Sequence, residues 1–425
     1  MQLEPFLIDV GEPVLEELQR RLALTRLADE PDGAGWDYGT SAAYLRELVE
    51  HWRTAFDWRE QERRLNALPQ FRAVVDGVRV HFAHQPGRGP DPLPIVLVHG
   101  WPSGFPEMTK LVPLLADPAA HGGDAADAFH VVVPSLPGFG FSGPQRRGVG
   151  YAAAGAALYR IMTEGLGYDR FAVHGTGAGV YPLGWIAFEH PEAVVGYHTH
   201  DPALMPIAPF EPPAPPPTDA ELAARERSRE WAAREGAYAG LHRTKPQSLG
   251  HALTDSPAGL ASWLVEKHRT WSDCHGDVER RYTKDDLLTS CTMYWVTGTI
   301  ASSLRAYYER VHADPVVPPG RRFDGVPTGV AMPRYEPNFP PRRVPRETVE
   351  RAHDLRHWVD LPSGGHFASW EEPELVADSI RTFFRPLRPS AREAGARSGP
   401  ARSAKSGEHV DTLPAPQPQL EAADG

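Results

Sequence analysis

The chain has 425 residues, 41% hydrophobic and 23% charged, with a formal net charge of -11. That length implies a large core plus additional modules, and an acidic chain with no dense Lys or Arg block excludes a phosphate backbone as partner. Cys274 and Cys291 are the only cysteines, which excludes a disulfide framework or a multi-cysteine metal site and makes both expected packing residues.

The N-terminal stretch MQLEPFLIDVGEPVLEELQRRLALTRL places acidic side chains where a leader needs a basic segment and then an apolar one, so a mature cytoplasmic protein is expected. No apolar run approaches the ~20 residues that span a bilayer. Residues 1–88 are predicted to form helices followed by a strand pair. Leu15, Leu18, Leu22 and Leu24 supply the apolar spacing of one helix, and Tyr44, Leu45, Leu48, Val49 and Trp52 line the next. Asp76-Gly77 marks a hairpin turn in QFRAVVDGVRVHFAH. Trp36, Trp52 and Trp58 are expected to anchor this segment against the core.

From residue 89 the pattern becomes strand, turn, helix. PIVLVHG, FHVVVPS, RFAVHG and AVVGYHTH are short apolar runs of the kind a parallel sheet covered on both faces requires. The alternation runs to 205 and stops over 206–318, which opens on APFEPPAPPPTDAE and continues in helical segments. Strand character resumes over 319–387 with GVPTGVAM and RHWVDLP, and ELVADSIRTFF closes as a helix with Val376, Ile380, Phe383 and Phe384 on one face. Residues 388–425 have the composition of a disordered tail. The architecture expected is therefore α/β: a mostly parallel central sheet, an N-terminal wrapping segment and a helical cap insertion.

Three motifs in the sheet region carry chemistry. PIVLVHGWPSG ends a strand in a turn whose backbone N–H at Trp101 can supply half of an oxyanion hole, the other half coming from Ala178. FAVHGTGAGVYPLGW fits a strand-to-helix elbow at Gly175-Thr176-Gly177-Ala178-Gly179, whose central residue is Gly177. Moving the elbow to Thr176 would put His174 where a small residue is needed. LPSGGHF places His366 on a Gly-rich loop after a strand, and TGVAMPRYEPNF offers Glu336 as its acid, with Asp201 as another acid near the same sheet edge. Elbow, acid, histidine is the α/β-hydrolase order. His99 is expected to be a turn residue bonded to backbone, and His174 either lines the pocket or ends a strand. GFGFSG lacks the helix and distant acid of a dinucleotide site, and no metal-ligand cluster appears, so no cofactor or metal is expected.

With these motifs the chain resembles the epoxide hydrolases of the microsomal and juvenile-hormone type. GWDYG, FDWREQERRLNALPQF, HGWPSG, PSLPGFGFSG, RTKPQSLGHALTDSPAGLASWLVEKH, YWVTGTIASSLRAYYE and GGHFASWEEPEL carry the resemblance, which extends to about residue 387. In that family an elbow aspartate attacks the epoxide carbon, two cap tyrosines hydrogen-bond the epoxide oxygen, and a histidine paired with a carboxylate activates water to release the ester. The resemblance implies Tyr238 and Tyr307 as the tyrosines, His366 as the base and Glu336 as its partner. It puts Gly177 at the nucleophile.

A glycine cannot form the covalent bond, and it relieves the strain of the elbow, which costs a residue with a Cβ about 1–3 kcal/mol. Three readings follow. One is an enzyme that uses His366, Glu336, Tyr238 and Tyr307 for non-covalent acid/base chemistry: epoxide opening, cyclisation or carbon–carbon bond formation on a bulky, mostly apolar natural-product intermediate. Another is epoxide hydrolysis by direct water attack, and the third an inert binding protein. The expected partner is a small molecule, neither nucleic acid nor membrane, and a homo-oligomer is compatible with the sequence.

Overall fold

In the computed structural model, which describes residues 1–202, 205, 216–313, 323–334 and 344–388, nine strands form one sheet. They are β1 (Glu4–Phe6), β2 (Gln70–Val75), β3 (Val78–Gln85), β4 (Leu93–Val98), β5 (Phe129–Pro134), β6 (Phe171–Gly175), β7 (Val194–Thr199), β8 (Phe323–Met332) and β9 (His353–Asp360). The spatial order is β1-β2-β3-β5-β4-β6-β7-β8-β9. The N-terminal strands pair antiparallel up to the β3–β5 contact, and from β5 to β9 every pairing is parallel. The β2–β3 hairpin turns on Asp76 and Gly77 at φ 50° and 77°, the paired positive values that match a two-residue turn to the twist of its strands.

Strands β4, β6 and β7 explain why their sequences read as continuous apolar runs: helices cover both faces, and Ile95, Val96, Leu97, Phe171, Ala172 and Val173 are completely buried. The histidines interleaved there are buried too, so they must find partners inside. His174 Nδ1 lies 2.9 Å from His198 Nδ1, and His198 Nε2 lies 3.0 Å from Ser379 Oγ in the closing helix Pro373–Phe384. His174, one residue before the end of β6, thus makes a buried polar contact with the neighbouring strand β7. Burial pushes both imidazoles far below the usual histidine range.

Between β7 and β8 the chain forms the expected cap, with helices Asp219–Glu235, Ala237–Thr244, Pro246–Asp255, Pro257–Trp271, Lys284–Thr297 and Ile300–His312. Thr218 and Glu221 start the first by exchanging side-chain and backbone hydrogen bonds. Pro257 occupies the first turn of another, where its missing N–H costs nothing, and Ser256 accepts from Gly259 N–H. The N-terminal segment is anchored largely on this cap: Trp52 Nε1–H donates to Thr292 Oγ1 at 3.0 Å, and the Arg269 guanidinium lies 4.6 Å over the Trp36 ring. Trp58 is buried in the core, and its Nε1–H bonds within its own helix, to Glu62. Cys274 and Cys291 are buried packing residues. The proline-rich opening of the cap, 206–215, and the tail after Arg388 lie outside the described residues. Among those described, no helix is long and apolar enough to cross a membrane.

Candidate active site

The site forms where the ends of β4, β6 and β7 meet the cap. Strand β6 ends at Gly175 and the helix Val180–Glu189 begins within a few residues, so the turn is tight. Steric demand separates its glycines. A Cβ at Gly179 would strike the Val98 and His99 carbonyl oxygens, so that position tolerates no side chain, and one at Gly175 would come within 2.7 Å of Leu183 Cδ1, so it fits only if the leucine gives way. Gly177 is different: it sits at φ +52°, and its Cβ would lie 3.0 Å from Gly100 Cα and 3.4 Å from His366 Nε2. A side chain there needs a shift of a few tenths of an ångström, and it would point at the histidine.

Gly100 brings the β4 turn onto this elbow. Its Cβ would lie 2.8 Å from Gly177 Cα and 2.9 Å from Ala178 N, so only glycine permits the approach that sets the Trp101 backbone beside Ala178. His99 behaves as a turn residue: its Nδ1 donates to Gly100 O at 2.9 Å and its Nε2 accepts from Leu136 N–H at 3.1 Å. Burial lowers its pKa to about 4, so the ring is neutral.

His366 is buried, and its Nδ1 lies 3.3 Å from Asp201 Oδ2. The same carboxylate oxygen accepts the Gly177 N–H at 3.2 Å, and the Asp201 N–H donates to Thr199 Oγ1 at 2.9 Å. Asp201 therefore links elbow and histidine, and it directly follows β7, as the second acid considered from sequence. Glu336 lies outside the described residues. His200 Nε2–H donates to the His366 carbonyl at 3.2 Å, and burial takes its pKa to about 4.

The roof of the site is aromatic. The Tyr238 ring stacks on Trp101 at 5.5 Å and 9° between planes, and Tyr307 stands edge-on to Trp101 at 5.9 Å. The two tyrosine rings are 6.1 Å apart, with His242 within 5.0 Å of Tyr307 and 5.5 Å of Tyr238. Trp271 bridges to the base, 5.1 Å from Tyr238 and edge-on to His366 at 5.3 Å. The structure thus gathers His366, Tyr238, Tyr307, Trp101, Gly177 and Ala178 into one region. Sequence reasoning passed over Trp271, His242 and a buried acid beside the β4 turn, Glu107. Ser103 Oγ–H donates to Glu107, and burial pushes that carboxyl up to about 8. Only the spacing of Glu107 within HGWPSGFPE hinted at it. No group of His, Cys, Asp or Glu among the described residues could hold a metal ion.

A mostly parallel sheet with a strand-to-helix elbow, a histidine after the last strand and a helical cap defines an α/β-hydrolase, and the family model described as "alpha/beta hydrolase fold" matches residues 94–263. The model "Epoxide hydrolase N terminus" matches residues 3–108. A Stigmatella aurantiaca (strain DW4/3-1) protein assigned to the epoxide hydrolases is 38% identical over 393 residues, covering 91% of this chain and 86% of its own length. Epoxide hydrolase 1 of Oryctolagus cuniculus is 32% identical over 416 residues, covering 90% and 88%. A solved structure of an enantioselective mutant of the Aspergillus niger epoxide hydrolase superposes with a TM-score of 0.77 at 26% identity, covering 91% of this chain and 97% of that one. The chain belongs to the epoxide hydrolase family.

Proposed function

We propose that this protein opens epoxides by non-covalent acid/base catalysis, with Gly177 standing where its relatives supply the attacking carboxylate. The observation that carries the reading is the direction of the missing side chain: the Cβ position at Gly177 faces His366 Nε2 at 3.4 Å, so the space that a nucleophile would fill adjoins the base. On this reading Asp201 orients His366 through Nδ1, and Nε2, which faces the Gly177 Cβ position, is the nitrogen that accepts a proton. His366 takes the proton of a water or of a hydroxyl on the substrate. The resulting oxygen attacks the epoxide carbon, the C–O bond breaks, and Tyr238 or Tyr307 protonates the leaving oxygen. The proton on His366 then returns to the tyrosinate through solvent. Backbone N–H groups of Trp101 and Ala178 stabilise negative charge near the elbow.

The aromatic roof of Trp101, Tyr238, Trp271 and Tyr307 suits a bulky, mostly apolar substrate. We place that substrate among natural-product intermediates, where an internal hydroxyl or carbon nucleophile would turn opening into cyclisation or carbon–carbon bond formation. The test compares wild type with His366→Ala, Tyr238→Phe and Tyr307→Phe on styrene oxide and a panel of polycyclic epoxides. A loss of about 100-fold or more in the histidine variant is expected. Unchanged rates and product profiles in all three would overturn the reading, and a wild type that converts none of the panel would favour a binding protein.

A further inference from the structure

The loop that carries His366 is fastened to the cap by a set of backbone hydrogen bonds. Gly364 N–H donates to Asp273 Oδ2 at 3.1 Å, and His366 N–H donates to the Trp271 carbonyl at 2.8 Å. Gly365 and Phe367 N–H groups both donate to Glu371 Oε1, at 3.2 and 3.1 Å. The other oxygen of that carboxylate accepts the Asp273 N–H at 2.7 Å. Arg281 closes the arrangement, donating from Nη2 to Asp273 Oδ2 and from Nε to the Asp273 carbonyl, each at 2.7 Å, and from Nη1 to Glu372 at 2.8 Å. Every backbone N–H from Gly364 to Phe367 thus ends on the segment Trp271–Asp273 or on a carboxylate bonded to it. The glycines make this possible: Gly364 has φ +96°, and a Cβ at Gly365 would lie 2.6 Å from the Trp271 carbonyl oxygen.

The same short segment also presents the Trp271 ring to both ends of the proposed chemistry, edge-on to His366 and 5.1 Å from Tyr238. We infer that Glu371, with Asp273 and Arg281, is a positioning residue that registers the His366 base against the cap tyrosine Tyr238. Displacing the cap segment therefore moves the histidine with it. Such registration matters most where acid and base must act on one substrate with no covalent bond to hold it, because a misplacement of about 1 Å can cost about 100-fold. The inference rests on His366 being the base, and its first test does not need turnover.

That test follows the His366 imidazole by NMR in histidine-labelled protein, assigned with His366→Ala, in wild type, Glu371→Gln and Asp273→Asn. A glutamine offers one acceptor oxygen where the carboxylate offers two, so at least one of three backbone bonds must break. The expected result is a moved His366 resonance, a titration midpoint changed by about half a unit or more, and amide exchange over 364–367 raised about tenfold or more. An unchanged resonance, midpoint and exchange rate in folded Glu371→Gln would overturn the inference. If that variant does not fold, Asp273→Asn, which weakens the Gly364, Arg281 and His275 contacts and leaves the Glu371 carboxylate in place, decides it by the same criteria. On any epoxide that the wild type converts, kcat should fall about 10- to 100-fold with KM within about threefold. A wild type inactive on the whole panel would count against the proposed function, while the NMR result would still decide the clamp.

Discussion

Gly177 is the position where a single substitution tests geometry and chemistry together. An L-residue at φ +52° costs about 1–3 kcal/mol, and the 3.0 Å approach of its Cβ to Gly100 Cα adds on the order of 1 kcal/mol. For the unit Met1–Arg388, unfolding entropy at about 2 cal/mol/K per residue converts that sum into a lowering of Tm by about 2–5 °C. Gly177→Ala should show this loss with no new activity. Gly177→Asp should lose no more, since aspartate tolerates left-handed backbone better than alanine, and should hydrolyse styrene oxide through a second, covalent route, seen as an ester adduct by intact-protein mass spectrometry that the wild type never forms. Thermal unfolding and a diol assay on the three proteins suffice. Equal Tm values throughout would refute the strained-elbow geometry. A folded Gly177→Asp protein that forms neither diol nor adduct would refute the claim that this side chain points into a site otherwise complete.

Other residues give predictions of different kinds. Glu107, with its pKa raised to about 8 by burial, keeps its proton in the folded state over a range where the unfolded chain has lost it. The folded state then binds more protons, so stability falls as pH rises from about 4.5 towards 8, and Glu107→Gln should flatten that alkaline limb by on the order of a few kcal/mol in denaturant titrations at pH 6 and 9. The acid limb has the opposite origin: His81, held neutral by burial with a pKa of about 3, must take up a proton to unfold below about 6.5, so stability should fall as pH drops through that value towards 3. Replacing His81 by Gln, a neutral side chain that can still meet Gln70 and Ser135, should reduce the acid-side slope, measured by denaturant titrations from about pH 6.5 downwards. Trp101→Ala removes a fully buried ring from beneath Tyr238 and should cost about 3–5 kcal/mol of stability, read by chemical denaturation.

Much of the molecule was legible because local chemistry and global fold agree. The apolar runs of β4 to β7, the Asp76-Gly77 turn and the apolar stripe of the last helix each depend on near neighbours, and each forms where its pattern says. The small-residue spacing of the elbow was legible for a steric reason that the structure makes explicit at Gly175 and Gly179. The acid beside His366 was not decidable in sequence, since Asp201 and Glu336 both follow strands that end at one sheet edge. That Asp201 reaches His366 depends on where β7 lies beside β6 in the sheet, which no local pattern encodes. The N-terminal tryptophans show the same limit: Trp52 finds its partner at Thr292, on a cap helix that sequence distance hides. Glu371 read as one acid in a run, and its contacts with Gly365, Phe367 and Asp273 exist only once the cap has folded over the loop.

The central claim is that no atom of the protein attacks the substrate. It is tested most directly by reacting styrene oxide with an excess of wild-type enzyme in heavy-oxygen water, so that each active site turns over once. The account predicts a diol that already carries solvent oxygen in this first turnover, with the protein's mass unchanged. A first-turnover diol bearing ordinary oxygen, with the heavy isotope left in a protein carboxylate, would contradict it.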